Sequence, residues 1–373
     1  MQKFKMVAPT IFGVEGILAD ELKRLGAENI QSENGRVFFE GDINMLAKAN
    51  IWLRTAERVL IVVGRFHATS FEELFNNVYA LNFEDYIGVK DAFPVTGYSI
   101  SSALHSIPDC QAIIKKAIVK KLSKKYNVSW FEETGPLHKV RFSIQKNDVT
   151  VCIDTSGEGL HKRGYRANSL EAPIKETLAA AMCYTARIYP DTKLYDPFCG
   201  SGTILIEAAL MAKNIAPGIR RFFAAERFSE DFAKAFSEER KSALDKIQKD
   251  VEFRAMGSDI DENAVKLTME NAKKAGVSDV VSAKISDVSN FSLPDERMLL
   301  ITNPPYGERL LDIKNAEKLY KVMGEKMQKG LGKKYFIISP NDDFEEFFGR
   351  PADKRRKLYN GMIKCQLYMY FKN

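Results

Sequence analysis

Along the first 66 residues, short runs of alternating apolar and polar side chains take turns with runs of helical spacing. Residues 3–9, 35–40 and 58–66 have the two-residue period of a half-buried strand, and 28–32 is a weaker run of the same kind. Residues 14–25 place apolar side chains every three or four positions and stop at Gly26; residues 44–53 follow the same rule. The resulting order, βαββαβ, predicts a small ferredoxin-like unit over 1–66. Over 67–160 the pattern predicts a helix at 71–80, a strand at 95–101 and a long helix at 109–126. A hairpin follows, 139–145 and 149–154, turning about Lys146-Asn147-Asp148. A glycine- and charge-rich connection around 157–166 then marks the start of a third unit, 161–373.

That third unit alternates strands (193–198, 251–259, 280–285, 298–302, 333–338) with helices (202–213, 262–275, 316–328). Regular alternation argues for an α/β, doubly wound parallel sheet covered on both faces. Its last residues, 354–359 and 362–371 around Asn360-Gly361, carry the strongest hairpin signal in the chain. The stretch 214–250 reads as an insertion.

Composition narrows the function classes only a little. Apolar residues make up 45% and charged residues 28%, ordinary for a globular protein. No run approaches the ~20 apolar residues of a membrane span, and the first residues lack a signal-peptide pattern. Five scattered cysteines with no C-x-x-C pair fit buried thiols in a reducing cytoplasm rather than a disulfide framework or zinc site. A net charge of +6, not confined to one half, is compatible with a polyanionic partner without requiring one.

The chemistry is concentrated in four segments. Asp196-Pro197-Phe198-Cys199-Gly200-Ser201-Gly202-Thr203 joins a strand to a helix, where glycines let a backbone approach a ligand. It lacks the Gly-Lys-Ser/Thr of a Walker loop and the third glycine of a dinucleotide fingerprint. At the end of the next strand, Asp259-Ile260-Asp261 supplies a carboxylate able to accept from both ribose hydroxyls of an adenosine; Asp261 suits a helix N-cap equally well. Asp287, ending the following strand, is either an acceptor for an adenine amine or a plain loop aspartate. Asn303-Pro304-Pro305-Tyr306 follows the strand after that. Its prolines stiffen the backbone and leave the Asn303 side-chain oxygen and the Pro304 carbonyl as two fixed acceptors. Two acceptors match the two N–H donors of a planar amine and would localise its lone pair, while Tyr306 offers a ring on which an extruded base stacks.

DPFCGSGT, GSDID and NPPYGER, in this order, resemble the motifs of class I S-adenosylmethionine-dependent methyltransferases. NPPY is similar to the branch that acts on exocyclic amines of bases. Leu160-His161-Lys162-Arg163-Gly164-Tyr165-Arg166 and Ala172-Pro173-Ile174-Lys175-Glu176-Thr177-Leu178 narrow the resemblance to bacterial guanine-N2 methyltransferases of large-subunit ribosomal RNA, members of which are often described as N6-adenine-specific DNA methylases. The resemblance implies a Rossmann-like, seven-stranded methyltransferase domain over 161–373. It is preceded by a ferredoxin-like unit at 1–66 and a THUMP RNA-binding domain at 67–160. It further implies that Asp196, Pro197, Phe198, Gly200, Gly202 and Thr203 cradle S-adenosylmethionine, which leaves as S-adenosylhomocysteine. Asp259 with Ile260 would hold the ribose and Asp287 the adenine, Pro173, Lys175 and Thr177 would flank the cofactor, and Asn303, Pro304, Pro305 and Tyr306 would position the base.

The implied reaction is in-line displacement on a methyl group, in which the protein supplies orientation rather than a metal, a triad or a cysteine nucleophile. His67, His105, His138 and His161 are scattered and fit structural places. For the partner, structured RNA, the predicted helix 109–126 aligns Lys116, Lys120 and Lys124 on one stripe and Ile114, Ile118 and Leu122 on another. That stripe is either a phosphate-binding face or ordinary solvated surface. Lys162, Arg163 and Arg166 are further candidates, as are Arg220-Arg221 and Lys354–Lys357. Three alternatives stay open: transfer RNA as substrate, adenine in DNA, and an inert RNA-binding assembly factor.

Overall fold

The structure, a computed structural model, describes residues 3–166, 174–292, 294–307 and 310–372. Two seven-stranded sheets organise it. The first begins with β1 (Phe4–Pro9), α1 (Glu15–Leu25), β2 (Glu28–Glu33), β3 (Arg36–Gly41), α2 (Ile43–Trp52) and β4 (Leu60–His67). It continues with α3 (Phe71–Ala80), β5 (Val95–Ile100), α4 (Ile107–Tyr126), β6 (Val140–Gln145) and β7 (Asp148–Asp154). Strand order is β2-β3-β1-β4-β7-β6-β5. The ferredoxin-like and THUMP parts therefore share one sheet, joined where β4 pairs antiparallel with β7 from Leu60 opposite Asp154 to His67 opposite Asp148. The β6–β7 turn is tight because Lys146 and Asn147 both take positive φ (52° and 68°), the twist a two-residue hairpin needs.

The second sheet holds α5 (Glu176–Ala186), β8 (Lys193–Asp196), α6 (Thr203–Ala212), α7 (Glu230–Asp245), β9 (Arg254–Asp259), α8 (Glu262–Ala275) and β10 (Val281–Ile285). After them come β11 (Met298–Thr302), α9 (Leu310–Lys326), β12 (Lys333–Ser339), α10 (Phe344–Phe348), β13 (Lys354–Asn360) and β14 (Ile363–Tyr370). The order is β10-β9-β8-β11-β12-β14-β13. The five strands from β10 to β12 pair in parallel, and the terminal hairpin adds two antiparallel strands at the edge. Buried β-branched and leucine side chains on β11, all five of whose residues are buried, and the alanine-rich α5 and α6 account for the helices packed on both faces. This is the doubly wound α/β fold that the alternation predicts. Because β9 and β11 leave β8 on opposite sides, the switch point of the sheet lies at the carboxyl ends of β8 and β11, where such sheets bind ligands.

The insertion is structured. Its helix α7 lays Ala235, Phe236 and Ala243 into the core formed by α1, α2 and the first sheet, and Trp52 Nε1 donates to Glu239 at 2.6 Å. All five cysteines are buried and unpaired. Among the described residues no helix is long and apolar enough to cross a membrane.

Candidate cofactor and base site

A cavity of about 500 Å³ opens at that switch point, a size usual for small-molecule sites. Its floor is the turn after β8. Gly200 has φ +52° and a Cβ there would meet nothing within 4 Å, so the backbone at this position faces open space. Gly202 does a different job. It has φ +79° and starts α6, and a Cβ would come within 2.8 Å of the Thr268 methyl; it brings α6 against α8 and does not line the cavity. The turn is stapled from α8: Thr268 Oγ1 donates to the Gly200 carbonyl at 2.8 Å and Asn271 Nδ2 to that of Ser201 at 3.0 Å.

Three carboxyls face the cavity. Asp196 is buried, accepting from Thr302 Oγ1 at 2.6 Å and from the Phe198 N–H at 3.1 Å. Burial pushes its carboxyl up to about 7, and the neighbouring Asp259 charge adds to the rise. Asp259 accepts from the Gly200 N–H (2.9 Å) and the Asp261 N–H (3.1 Å), one at each oxygen. Each oxygen keeps a lone pair for a further donor. Asp261 caps α8 through the Asn263 N–H at 2.9 Å, the second of the two roles open to it. Asp287 is exposed at the rim, held below the usual carboxylate range by bonds from Ser289. Ile260, 71% exposed, and Val288 add apolar wall.

Among the described residues this lining has three carboxyls and no Lys or Arg, so its field favours a cation. S-adenosylmethionine carries a sulfonium and an ammonium charge, an adenine that suits the apolar wall and a ribose diol that suits Asp259. The residues present fit it.

Asn303, Pro304, Pro305 and Tyr306 stand at the mouth, at the end of β11. Tyr306 is half-buried against the catalytic core, and its hydroxyl donates to Asn303 Oδ1, the very acceptor expected for a substrate amine. Burial raises the Tyr306 phenol. Tyr320 Oη donates to the Pro305 carbonyl at 3.3 Å, which steadies the turn. Asn360 and Ile363, from the terminal hairpin, complete the lining, and Asn360 Nδ2 lies 3.4 Å from Tyr306 Oη. The hairpin is legible in the sequence, but its seat on this pocket is not, since nothing local encodes a contact more than fifty residues away.

Several expected positions differ. Lys175 and Thr177 do not line the cavity. Lys175 is ion-paired with Glu57 at 3.7 Å, and Thr177 Oγ1 donates to the same carboxylate at 2.8 Å, so both are engaged by the amino-terminal unit. Ile174 is the residue of that segment that reaches the cavity, and Pro173 lies outside the described residues. Arg163 is not available to RNA: it is buried, paired with Glu207 at 3.3 Å and bonded to the Leu160 and Arg54 carbonyls. Arg166 is largely spent as well, on Glu176 (2.8 Å), the Ile174 carbonyl and Thr203 Oγ1. Lys162 is exposed beside Glu158. Lys116, Lys120 and Lys124 are exposed on α4 while Ile114, Ile118 and Leu122 are buried beneath them, and Lys120 Nζ sits 5.5 Å from the Phe75 ring.

Comparison with known proteins agrees with this geometry. Residues 163–369 match the model of the RMKL-like methyltransferase domain, residues 5–60 that of the RlmL ferredoxin-like domain, and residues 68–154 that of the THUMP domain. YpsC of Bacillus subtilis (strain 168), named provisionally as an RNA methyltransferase, is 43% identical over 100% of this chain and 97% of its own. The ribosomal RNA large subunit methyltransferase K/L of Shewanella baltica (strain OS185) is 34% identical over 99% of this chain, which spans only 53% of that protein. The crystal structure of SMU.472 complexed with SAH superposes with a TM-score of 0.93 at 43% identity, covering 100% of this chain and 99% of the other. A Listeria monocytogenes str. 4b F2365 structure, provisionally named an N6-adenine-specific DNA methylase, gives 0.93 at 44%, covering 100% and 97%. The chain belongs to the RMKL-like methyltransferase family: it is an S-adenosylmethionine-dependent RNA methyltransferase, with ferredoxin-like and THUMP domains ahead of its catalytic domain.

Proposed function

We propose that this enzyme methylates the N2 amine of a guanine in large-subunit ribosomal RNA, in the cytoplasm. The observation that carries the reading is the placement of Asn303-Pro304-Pro305-Tyr306 at the mouth of an acidic cavity suited to a cationic cofactor. When bound, S-adenosylmethionine supplies an electrophilic methyl group. The chain's own residues do the positioning. Asn303 Oδ1 and the Pro304 carbonyl accept the two amine hydrogens, which withdraws the nitrogen lone pair from ring conjugation and localises it toward the methyl group. The Tyr306 hydroxyl now on Asn303 gives way as the amine arrives, and the ring stacks on the extruded base. Asp259 holds the ribose, Asp287 the adenine amine, and Asp196 with the Gly200 turn the methionine end. Exposed Lys116, Lys120 and Lys124 contact phosphates, which positions the RNA without reading its sequence.

Ribosomal RNA is favoured over transfer RNA because the K/L relative, named for the large ribosomal subunit, aligns over 99% of this chain. The test is mass spectrometry of nucleosides from purified ribosomal RNA, transfer RNA and DNA of a strain lacking the protein. Loss of N2-methylguanosine from large-subunit RNA is expected. Its loss from transfer RNA alone, or loss of N6-methyladenine from DNA, overturns the substrate.

A further inference from the structure

The terminal hairpin contributes Asn360 and Ile363 to the first cavity, while its turn residues line a neighbouring one. Asn360 pairs with Ile363, so Gly361-Met362 is a two-residue turn, with Gly361 at φ +63°. Gly361 and Met362 line a second cavity of about 410 Å³ beside the first, together with Phe12, Tyr359, Leu178 and Lys175. Met362 is 98% exposed and Phe12 52%.

Two features show that this tip is held ready rather than merely exposed. The Phe12 and Tyr359 rings meet edge to face with centroids 6.0 Å apart. Gly13 packs so closely on β13 that a Cβ would come within 2.6 Å of the Lys357 carbonyl oxygen, so the β1–α1 loop buttresses the hairpin. The hairpin arms are basic. Lys354, Lys357 and Lys364 are exposed, whereas Arg355 is committed to Glu345. An apolar tip between cationic arms is complementary to a base stack between phosphate backbones.

We infer that Met362 is a wedge: it enters the RNA base stack as the target guanine leaves it, while Lys357 and Lys364, nearer the tip, hold the flanking phosphates. This rests on the base-extrusion reading proposed above. Extrusion breaks stacking and pairing, and an inserted apolar side chain restores part of that contact. Methionine suits the task, since its unbranched thioether adapts to the gap and packs on aromatic rings.

The probe is a short RNA stem-loop whose target guanine lies in a G·C pair with 2-aminopurine as its 3′ neighbour. Its twin places the same guanine opposite an abasic site. Binding of the unaltered enzyme brightens the paired probe, because 2-aminopurine loses its stacking partner. Met362→Ala removes that brightening and lowers kcat/KM about tenfold on the paired RNA, but only within about twofold on the twin, where no base pair has to be broken. Met362→Leu, which keeps the apolar bulk, restores both. Equal brightening by the parent and Met362→Ala, or equal losses on the two RNAs, overturns the wedge. Brightening without any N2-methylguanosine formed overturns the methylation reading instead and leaves the wedge standing.

Discussion

Asp196 combines two properties that set a pH dependence: it is buried, and its carboxyl is raised from 3.8 to about 7. Between those values the folded protein holds a proton that the unfolded chain has released, so stability is greatest below pH ~4 and falls as pH rises to ~7. Asp196→Asn keeps an acceptor for Thr302 and Phe198 but cannot ionise. The cofactor-free variant should melt a few degrees above the parent at pH 8 and level with it at pH 4, read by thermal scans across pH; parallel curves would place the titration elsewhere. If Asn303 serves the base and not the cofactor, as proposed, Asn303→Ala should abolish methyl transfer while leaving S-adenosylmethionine affinity within about twofold by calorimetry. Lost cofactor binding would put Asn303 in the wrong role. At this scale the sequence was informative wherever chemistry is local. The glycine turn, the three acids and the proline turn all meet at one cavity. It misled at Arg163 and Arg166, which stand beside exposed Lys162 but turn inward. In an irregular segment no period tells which side chain is buried.

Helix α4 shows how far an element's pattern carries. Its apolar stripe of Ile114, Ile118 and Leu122 is buried and its lysine stripe exposed, as a 3.6-residue period requires. If the lysines contact phosphates, changing Lys116, Lys120 and Lys124 together to Glu should weaken RNA binding and lower the magnitude of its log–log salt slope by about two to three. Filter binding across a salt series measures this, and an unchanged slope would make the stripe plain surface. The same periodicity finds most strands and helices within a few residues. It misses α5, α7, which lies inside what reads as an insertion, and the short α10. Helix α7 packs on α2, a partner nearly two hundred residues earlier.

For the molecule as a whole, a buried polar network joins the two sheets alongside the apolar contacts of α7. Glu21, its carboxyl raised by burial, accepts from the Arg54 and Thr55 N–H groups and from Tyr184 Oη on α5. Arg54 Nη2 donates to the Ile215 carbonyl at 2.7 Å, and Arg163 links Glu207 of α6 to the Arg54 carbonyl. Glu57 sits among His161, Lys175 and Thr177; burial raises its carboxyl, but these partners outweigh it and hold it at about 2. Arg163→Ala strands the Glu207 charge in the core and should cost about 3–5 kcal/mol in denaturant unfolding. A loss under about 1 kcal/mol would mean that Glu207 is satisfied by Tyr165, whose hydroxyl lies 3.1 Å away. This junction is where sequence and tertiary structure part company. By itself the sequence determined the succession of strands and helices, the parallel sheet, the glycine turn with its acids and the Asn-Pro-Pro-Tyr turn, because periodicity, turn chemistry and short-range spacing are properties of adjacent residues. Only the tertiary structure decided that β4 and β7 fuse two units into one sheet, that Lys175 and Thr177 answer to Glu57, and that the terminal hairpin lines the cavity at the switch point with Asn360 and Ile363. Those outcomes depend on which buried polar groups find partners across long stretches of chain, and no local pattern records that.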